Sequence, residues 1–380
     1  MKEVSALNKY IHALITVLLI SSTAGLHYMS QEEVQRPQAN ESLPTFEGIQ
    51  INQENKTVDL ESMTLRQKTA FTVVSFNYEK EINKNKIVGG MHLRSAGSKR
   101  EFKERIENNT EGRPIPPLIS ADLEGCIEPT SSFRDFKSFK QVNNSQQAYE
   151  IGKTQGEFLS DIGVDINFSP VVDLNDSIWG CRTFEGNYSE VSEKACSYIK
   201  GLDEKGIKST AKHYPGKTLT GKDPHEEMKH VEIREKDLAA FHSAMNCSVD
   251  AVMPSHQIST GKIDTQGAPA DVSNVTRNHI RENGFEGLII SDAISMGGIT
   301  HYYEKDRNRY IDLFQTNDLI LNLVGGVNDT ARMITTIEKA VENGNLEQRF
   351  VDDSARRVLN ARGWNVKVRE GNETKIYEAY

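Results

Sequence analysis

The sequence predicts an α/β fold in which eight parallel strands alternate with helices and close into one barrel, formed by a single domain. Its 380 residues suffice for such a barrel, and from Leu60 onward short apolar runs alternate with amphipathic stretches, the pattern of repeated βα units. The runs are rich in Val, Ile and Leu, which is typical of strands covered on both faces. Eight such units favour a TIM-type (β/α)8 barrel over the alternative, an open doubly wound sheet.

The apolar runs and amphipathic stretches are assigned in chain order. The predicted strands are residues 70–76, 87–92, 117–122, 165–174, 207–213, 250–256, 287–292 and 318–324. The helices predicted between them include residues 146–159, 190–205, 232–246, 277–283 and 330–343.

Polar residues recur where the apolar runs end. They are Asp122 and Glu124, Asp173 and Asn175, Lys212 and His213, His256, and Asp292. In an α/β barrel these strand ends meet at one mouth, where the functional residues of this fold lie. Helix caps explain some of the aspartates, but not Lys-His at one strand and His at the next. The pattern therefore predicts a functional site at the mouth.

The first 29 residues differ from the rest of the chain. Lys2 and Lys9 precede an apolar run over residues 10–26, which is typical of a targeting signal. Small residues at 22–24 fit cleavage of a signal peptide, while the length of the run approaches that of an uncleaved membrane anchor. A buried core helix is the third alternative. We expect an extracytoplasmic protein, either secreted, periplasmic or held at the membrane by this N-terminal segment.

Composition divides the chain further and limits its partners. The predicted divisions are 1–29 as signal peptide or anchor, 30–55 as a polar linker, 56–365 as the barrel and 366–380 as a polar C-terminal tail. A net charge of −9 argues against nucleic acid, because neutralising phosphates requires a basic surface. Four cysteines permit two disulfides in an oxidising compartment, but their spacing does not indicate a zinc site. We expect a monomer.

Three segments carry a more specific signal. Residues 167–175 read NFSPVVDLN, residues 212–225 read KHYPGKTLTGKDPH, and residues 291–299 read SDAISMGGI. In this order they resemble the patterns NFAPVxDxN, KHFPGHGDTxxDSH and SDDLxMxGI of glycoside hydrolase family 3. Within that family the chain resembles the single-domain β-N-acetylhexosaminidases of the bacterial cell-wall type, from about Leu60 to Arg362.

The resemblance implies a retaining glycosidase that releases terminal β-linked N-acetylhexosamine, in the first place N-acetylglucosamine. Asp292 matches the family's nucleophile, and Asp223 with His225 matches its acid/base dyad. The positions that match sugar-binding residues are Asp122, Arg182, Lys212 and His213. No cofactor or metal is implied, and the expected partner is a glycan or amino-sugar substrate.

Each of these roles has a purely structural alternative. Asp292 would then cap a helix, residues 223–225 would form a surface turn, and Lys212 and Arg182 would form ion pairs with barrel aspartates. Glu124 and His256 are interpreted either as site residues or as supports for them.

Two departures from the family pattern leave the substrate preference open. Lys217-Thr218-Leu219 replaces His-Gly-Asp, and Cys126-Ile127 replaces Gly-Arg. The alternative functions are a barrel that binds glycan without cleaving it, a β-glucosidase-like enzyme, and a metal-dependent hydrolase. Because a pure binding protein has no need of Asp223, His225 and Asp292 together, their presence favours catalysis. The acceptor of the sugar, water or phosphate, is left open.

Overall fold

The computed structural model describes residues 42–75, 82–126, 128–221, 223, 227–303, 309–323 and 326–380. The predicted targeting segment, residues 1–29, and His225 lie outside the described residues. Among the described residues, no helix combines the length and the apolar character needed to cross a membrane.

Eight short strands form the central sheet. They are Val73–Ser75 (β1), Gly90–His92 (β2), Leu118–Ala121 (β3), Ile166–Asn167 (β4), Lys208–Tyr214 (β5), Ala251–Pro254 (β6), Leu288–Ile289 (β7) and Ile320–Asn322 (β8). All neighbours pair in parallel, in the order β7-β6-β5-β4-β3-β2-β1-β8. A parallel bridge between Ile290 and Leu319 joins β7 to β8 and closes the ring. The predicted (β/α)8 barrel is confirmed.

Helices cover the outside of the ring. In the described residues they are Leu65–Phe71 (α1), Lys99–Thr110 (α2), Ser145–Ile162 (α3), Tyr188–Asp203 (α4), Glu235–Asn246 (α5), Asn274–Glu282 (α6), Gly297–Tyr303 (α7), Arg309–Thr316 (α8), Gly326–Glu342 (α9) and Gln348–Ala361 (α10). Local sequence sets several ends: Asn187 and Glu190 form a capping box at the start of α4. Gly163 ends α3 in the left-handed conformation, with φ of 87°.

The observed strands are shorter than the predicted ones. The predicted strand 165–174 pairs as β4 only at Ile166–Asn167, and the chain then bridges β5 once more, at Val171. The predicted helix 232–246 begins at Glu235, because His230–Ile233 is a strand that pairs in parallel with Ile258–Gly261. These two short strands lie in the loops that follow β5 and β6.

The barrel interior changes from apolar to polar along its axis. Its buried core includes Val74, Leu118, Ile166, Phe168, Met253 and Leu321. Toward the mouth the Phe168 ring stacks on the imidazole of His92, with 5.4 Å between centroids and 5° between planes. His92 ends β2, so this stack marks the level at which polar side chains begin.

Both ends of the described chain contribute to a second sheet. Thr57–Asp59 pairs in parallel with Asn365–Glu370, which also pairs with Glu373–Tyr377 in a hairpin. The sequence predicts only a polar tail at 366–380, whereas the structure has a hairpin there, whose Val366 side chain is fully buried. Residues 51–52, in the predicted linker, form a further strand of this sheet.

All four cysteines are paired. The disulfide Cys126–Cys181 joins the loop after β3 to the loop after β4, and Cys196–Cys247 joins α4 to the end of α5. The first therefore cross-links two loops of the mouth, and the second cross-links the helical layer.

Candidate active site

A charge cluster occupies the mouth above β3 and β5. The Nζ atom of Lys212 lies 2.7 Å from Oδ1 of Asp122 and 2.6 Å from Oε2 of Glu124. The same Glu124 oxygen accepts a hydrogen bond of 2.7 Å from Nη2 of Arg182. Burial lowers the pKa of Lys212, but the Asp122 and Glu124 charges outweigh it and leave the pKa raised. The cluster therefore brings three predicted sugar-binding residues together, with Glu124 as their shared anion.

Asp122 is held on both carboxylate oxygens. Besides Lys212 it contacts His92, whose Nε2 lies 3.3 Å from its Oδ2. Burial raises the pKa of Asp122, but Lys212 and His92 together hold it well below its usual range. His92 was not among the predicted site residues, although it ends the predicted strand 87–92 and therefore lies at the mouth like the others.

The Arg182 loop is fixed by one carboxylate. The side chain of Asp176 accepts four hydrogen bonds from backbone N–H groups of residues 178–182, at 2.8 to 3.2 Å. The disulfide between Cys181 and Cys126 ties this loop to the one that carries Glu124. Arg182 consequently reaches the site from a loop that is anchored at two places.

His213 is oriented by a buried aspartate. Its Nδ1 lies 3.3 Å from Oδ2 of Asp173, and its Nε2 lies 3.5 Å from Nη2 of Arg182. The other Asp173 oxygen accepts a 2.7 Å hydrogen bond from the backbone N–H of Thr218. Asp173 therefore connects the end of β5 to the loop in which the sequence departs from the family pattern.

The loop Lys217-Thr218-Leu219, in which the sequence departs from the family pattern, is attached to the interior of the protein. Thr218 and Leu219 are buried, and Nζ of Lys229 donates hydrogen bonds of 2.9 and 2.7 Å to the carbonyls of Lys217 and Thr218. Burial lowers the pKa of Lys229 to about 8, although the nearby Asp173 and Asp223 charges raise it. The replacement residues thus give the loop a buried attachment.

Asp292 follows β7 and stays partly exposed at the mouth. Its Oδ1 accepts a 2.7 Å hydrogen bond from the backbone N–H of Ala293. Among the described residues no Lys, Arg or His nitrogen lies within ion-pair distance of it. Burial raises the pKa of Asp292, but the charges of His256, His213 and Lys212, with the Ala293 hydrogen bond, leave it below its ordinary value. Asp292 is therefore ionised at neutral pH.

His256 lies behind Asp292 and is fully buried. Its Nδ1 lies 2.8 Å from Oδ2 of Asp271, and its Nε2 lies 2.9 Å from the carbonyl oxygen of Ala293. Burial lowers the pKa of His256, but Asp271 outweighs it and raises the pKa to about 9. Asp271 was not among the predicted site residues, because it lies in the short turn Ala270–Val272 and ends no strand.

Asp223, the other predicted member of the dyad, lies half-buried in the loop after β5. It is near enough to Lys229 for its charge to raise the pKa of that amine. Because His225 lies outside the described residues, its pairing with Asp223 stays a prediction. In the described part of the chain, no three His, Cys, Asp or Glu side chains form a group that could hold a metal ion.

In the part of the chain that the structure describes, the barrel mouth holds the available carboxylate of Asp292 beside a cluster of charged donors and acceptors. The model of the glycosyl hydrolase family 3 N-terminal domain matches residues 55–361. The chain belongs to this family. The predicted resemblance is confirmed, and this family 3 protein is a hydrolase of glycosidic bonds.

Relatives and solved structures agree with this assignment. The chain is 32% identical over 254 residues to a beta-hexosaminidase of Idiomarina loihiensis, a match that covers 62% of this chain and 76% of the relative. It is 35% identical over 161 residues to a beta-hexosaminidase of Neisseria meningitidis, covering 40% of this chain and 44% of that one. The structure of a family 3 glycosyl hydrolase from Mycobacterium smegmatis superposes with a TM-score of 0.71 at 24% identity, over 80% of this chain and 99% of that chain. The structural likeness establishes the fold.

Proposed function

We propose that the protein is a retaining β-N-acetylhexosaminidase that releases terminal β-linked N-acetylhexosamine, in the first place N-acetylglucosamine. The observation that carries the proposal is Asp292, an ionised and partly exposed carboxylate beside the charge cluster that includes Lys212 and Arg182. The name beta-hexosaminidase borne by relatives supports the choice of sugar.

In the first half of the reaction, an Asp292 oxygen attacks the anomeric carbon and the bond to the leaving oxygen breaks. Asp122, Arg182, Lys212 and His213 bind the ring hydroxyls and hold the anomeric carbon in line with the nucleophile. The short contacts among these side chains favour this role, because groups that are already held in place need little ordering when the sugar arrives.

In the proposed mechanism His225 is the proton donor and Asp223 orients it. His225 gives its proton to the leaving oxygen as the glycosyl-aspartate forms. It then accepts a proton from water, whose oxygen attacks the anomeric carbon and releases Asp292. Because two inversions occur at that carbon, the product keeps the β configuration.

We also propose an extracytoplasmic location. The charged and then apolar N-terminal segment motivates it, and the disulfides Cys126–Cys181 and Cys196–Cys247 support it, because structural disulfides persist in oxidising compartments. Cell fractionation that finds the untreated protein free in the cytoplasm would contradict this location.

The substrate is tested with purified protein on matched aryl β-glycosides, with and without a chelator. We expect turnover of the N-acetylglucosaminide, little turnover of the glucoside and no effect of the chelator. Binding without turnover would instead support the glycan-binding alternative. A fluorinated donor whose glycosyl-enzyme hydrolyses slowly should label Asp292, and a label mapped to any other carboxylate would refute the nucleophile assignment.

The dyad is tested through the leaving group. With another sugar as leaving group, His225→Ala should reduce the rate by about 10²–10⁴-fold, the usual range for general acid catalysis. With an aryl group that leaves as its anion, glycosyl-enzyme formation should suffer much less and a burst should precede slow turnover. Asp223→Asn should give a milder version of both effects. Equal losses on both leaving groups without a burst would show that the donor lies elsewhere, with Glu124 the first candidate.

A further inference from the structure

A buried charge pair lies behind the proposed nucleophile and is not used in the mechanism above. His256 at the end of β6 and Asp271 in the turn before α6 have fully buried side chains, and their nearest charged atoms are 2.8 Å apart. Removing two such groups from water is costly unless each serves the other. The pair lies beside Asp292, where its charges can act on the proposed nucleophile.

Two oxygen atoms lie beside the ring nitrogens of His256. Nε2 is at hydrogen-bonding distance from the carbonyl oxygen of Ala293, which can only accept, and Nδ1 makes an ion-pair contact of 2.8 Å with Oδ2 of Asp271, without the alignment of a hydrogen bond. Burial raises the pKa of Asp271, and the nearby His256 charge opposes that rise. An imidazolium offers an N–H to the Ala293 carbonyl and a positive charge to the Asp271 carboxylate. The raised pKa of His256, about 9, agrees with this geometry.

The backbone of Asp271 is fixed on both sides of the residue. The N–H of Asp271 donates to the carbonyl of Ser255 at 3.1 Å. Its own carbonyl accepts hydrogen bonds from the Thr316 hydroxyl at 2.6 Å and the Asn317 amide at 2.7 Å. Asp271 is thus fixed between the end of β6 and the end of α8.

The pair connects to Asp292 through one residue. His256 holds the carbonyl of Ala293 at 2.9 Å, and the N–H of Ala293 holds Oδ1 of Asp292 at 2.7 Å. The continuous path therefore runs from Asp271 through the imidazolium and Ala293 to the nucleophile. The path provides Asp292 with a fixed hydrogen-bond donor, the N–H of Ala293, and with a neighbouring positive charge, that of His256.

We propose that Asp271 is a positioning residue for the nucleophile: it holds the His256 imidazolium against Ala293, so that Asp292 is oriented and its negative charge is matched. The role in catalysis rests on the proposed function, in which Asp292 attacks the sugar. The link between Asp271 and the charge of His256 does not depend on the proposed function, and it is measured separately.

Other charged groups face this path and belong in its pH dependence. His213 and Lys212 approach Asp292 from β5, and their charges lower its pKa. Arg182 approaches from the loop after β4, close enough for the Asp292 charge to raise its pKa. Burial and the hydrogen bond to Asp312 raise the pKa of Tyr303 in α7, and the nearby Asp271 charge raises it further. Of these groups, His256 alone contacts both Asp271 and the residue that holds Asp292.

The sign of the pH effect follows from the raised pKa. His256 carries its charge below about 9 and loses it as pH rises through that value. Without the Asp271 charge, the pKa of a buried His falls below its ordinary value of about 6.5. Asp271→Asn keeps the shape and can donate its amide N–H to Nδ1, so it removes the charge with little change in packing.

The first measurement follows the ring nitrogens of His256 by NMR with ¹⁵N-labelled histidine, assigned by the loss of its signals in His256→Gln. In the wild type we expect both nitrogens to carry protons at pH 7 and to titrate near pH 9. In Asp271→Asn only one should carry a proton at pH 7. A wild-type His256 that titrates near pH 6.5 would overturn the proposal without any variant and without any assay of activity.

The second measurement is the rate of glycosyl-enzyme formation from an activated aryl N-acetylglucosaminide, which avoids the need for a proton donor. At pH 7.5 Asp271→Asn should form the intermediate about 10- to 100-fold more slowly, the range typical of residues that support a reacting group. Its alkaline limb should move from near pH 9 to below pH 7. In a His256→Gln background, Asp271→Asn should add no further loss.

Asp318→Asn is the matched control. Asp318 is also a buried carboxylate, but it pairs with Arg281 and Arg357 at the opposite end of the β7–β8 pair. It should change neither the His256 signals nor the pH profile. If His256 in Asp271→Asn keeps both ring protons at pH 7, and the pH dependence of the rate is not shifted, the positioning role is rejected. Absence of any label on wild-type Asp292 would instead reject the proposed function and leave the NMR result standing.

Discussion

Asp122 and Asp292 are the same residue type at the ends of two barrel strands, yet their surroundings differ. Both oxygens of Asp122 are in contact with basic side chains, Lys212 at 2.7 Å and His92 at 3.3 Å. Asp292 accepts one backbone hydrogen bond, and the cations that lower its pKa act on it without an ion-pair contact among the described residues. A carboxylate held on both oxygens by basic side chains is suited to binding the sugar, whereas one that stays ionised without such contacts remains available to react.

The difference is tested most directly by removing the available carboxylate. Asp292→Ala should reduce turnover by on the order of 10⁴-fold or more, the scale observed when a catalytic nucleophile is lost. The barrel should stay folded, as judged by circular dichroism and thermal unfolding, because Asp292 makes no ion pair with a described residue. A loss of turnover below tenfold in a folded variant would show that Asp292 is not the nucleophile.

The corresponding change at the tied carboxylate should have a smaller effect of a different kind. Asp122→Asn should lower kcat/KM by about 10- to 100-fold, mainly through KM, because it removes one charge-assisted contact to the sugar. The fluorinated donor should still label Asp292 in this variant, at a higher concentration. If labelling disappeared altogether, the assignment of sugar binding to Asp122 and of nucleophilic attack to Asp292 would be wrong.

The two disulfides allow a finer comparison, since they enclose similar lengths of chain, 55 and 51 residues. Replacing either pair with serines should lower the free energy of unfolding by about 2–4 kcal/mol. Only loss of Cys126–Cys181 should also raise KM, by a few-fold, because that bond ties the Glu124 loop to the Arg182 loop. Unfolding in urea and steady-state kinetics on both variants provide the test, and equal KM values would show that the mouth loops need no cross-link.

Sequence periodicity predicted the part of this molecule that depends on local pattern. Apolar runs located all eight strands, and their ends located Asp122, Lys212, His213 and Asp292, because a strand end converges on the mouth whatever the loops do. The contact of Glu124 with Arg182 joins two loops that are 58 residues apart, and no pattern within either loop reports it. Asp271 was not predicted either, because it lies in a short turn and ends no strand.

The helix and strand boundaries show the same limit. The predicted helix 232–246 has a regular polar and apolar pattern, but its first residues belong to a strand whose partner, Ile258–Gly261, lies beyond the next barrel strand. Tertiary pairing overrides local propensity at such positions. The hairpin in residues 366–380 was missed because its sequence is rich in charged residues, as that of a tail is.

The sheet formed by Thr57–Asp59 and Asn365–Glu370 also has a consequence for how the protein is made. Lys367 contacts Asp59 at 2.9 Å across a separation of 308 residues, so the strand Thr57–Asp59 meets this partner only after the ribosome has produced the whole barrel between them. Until then Thr57–Asp59 presents one unpaired edge, and such edges promote association between chains. During synthesis, this edge of the nascent protein is therefore exposed to association until Asn365–Glu370 has been translated and pairs with it.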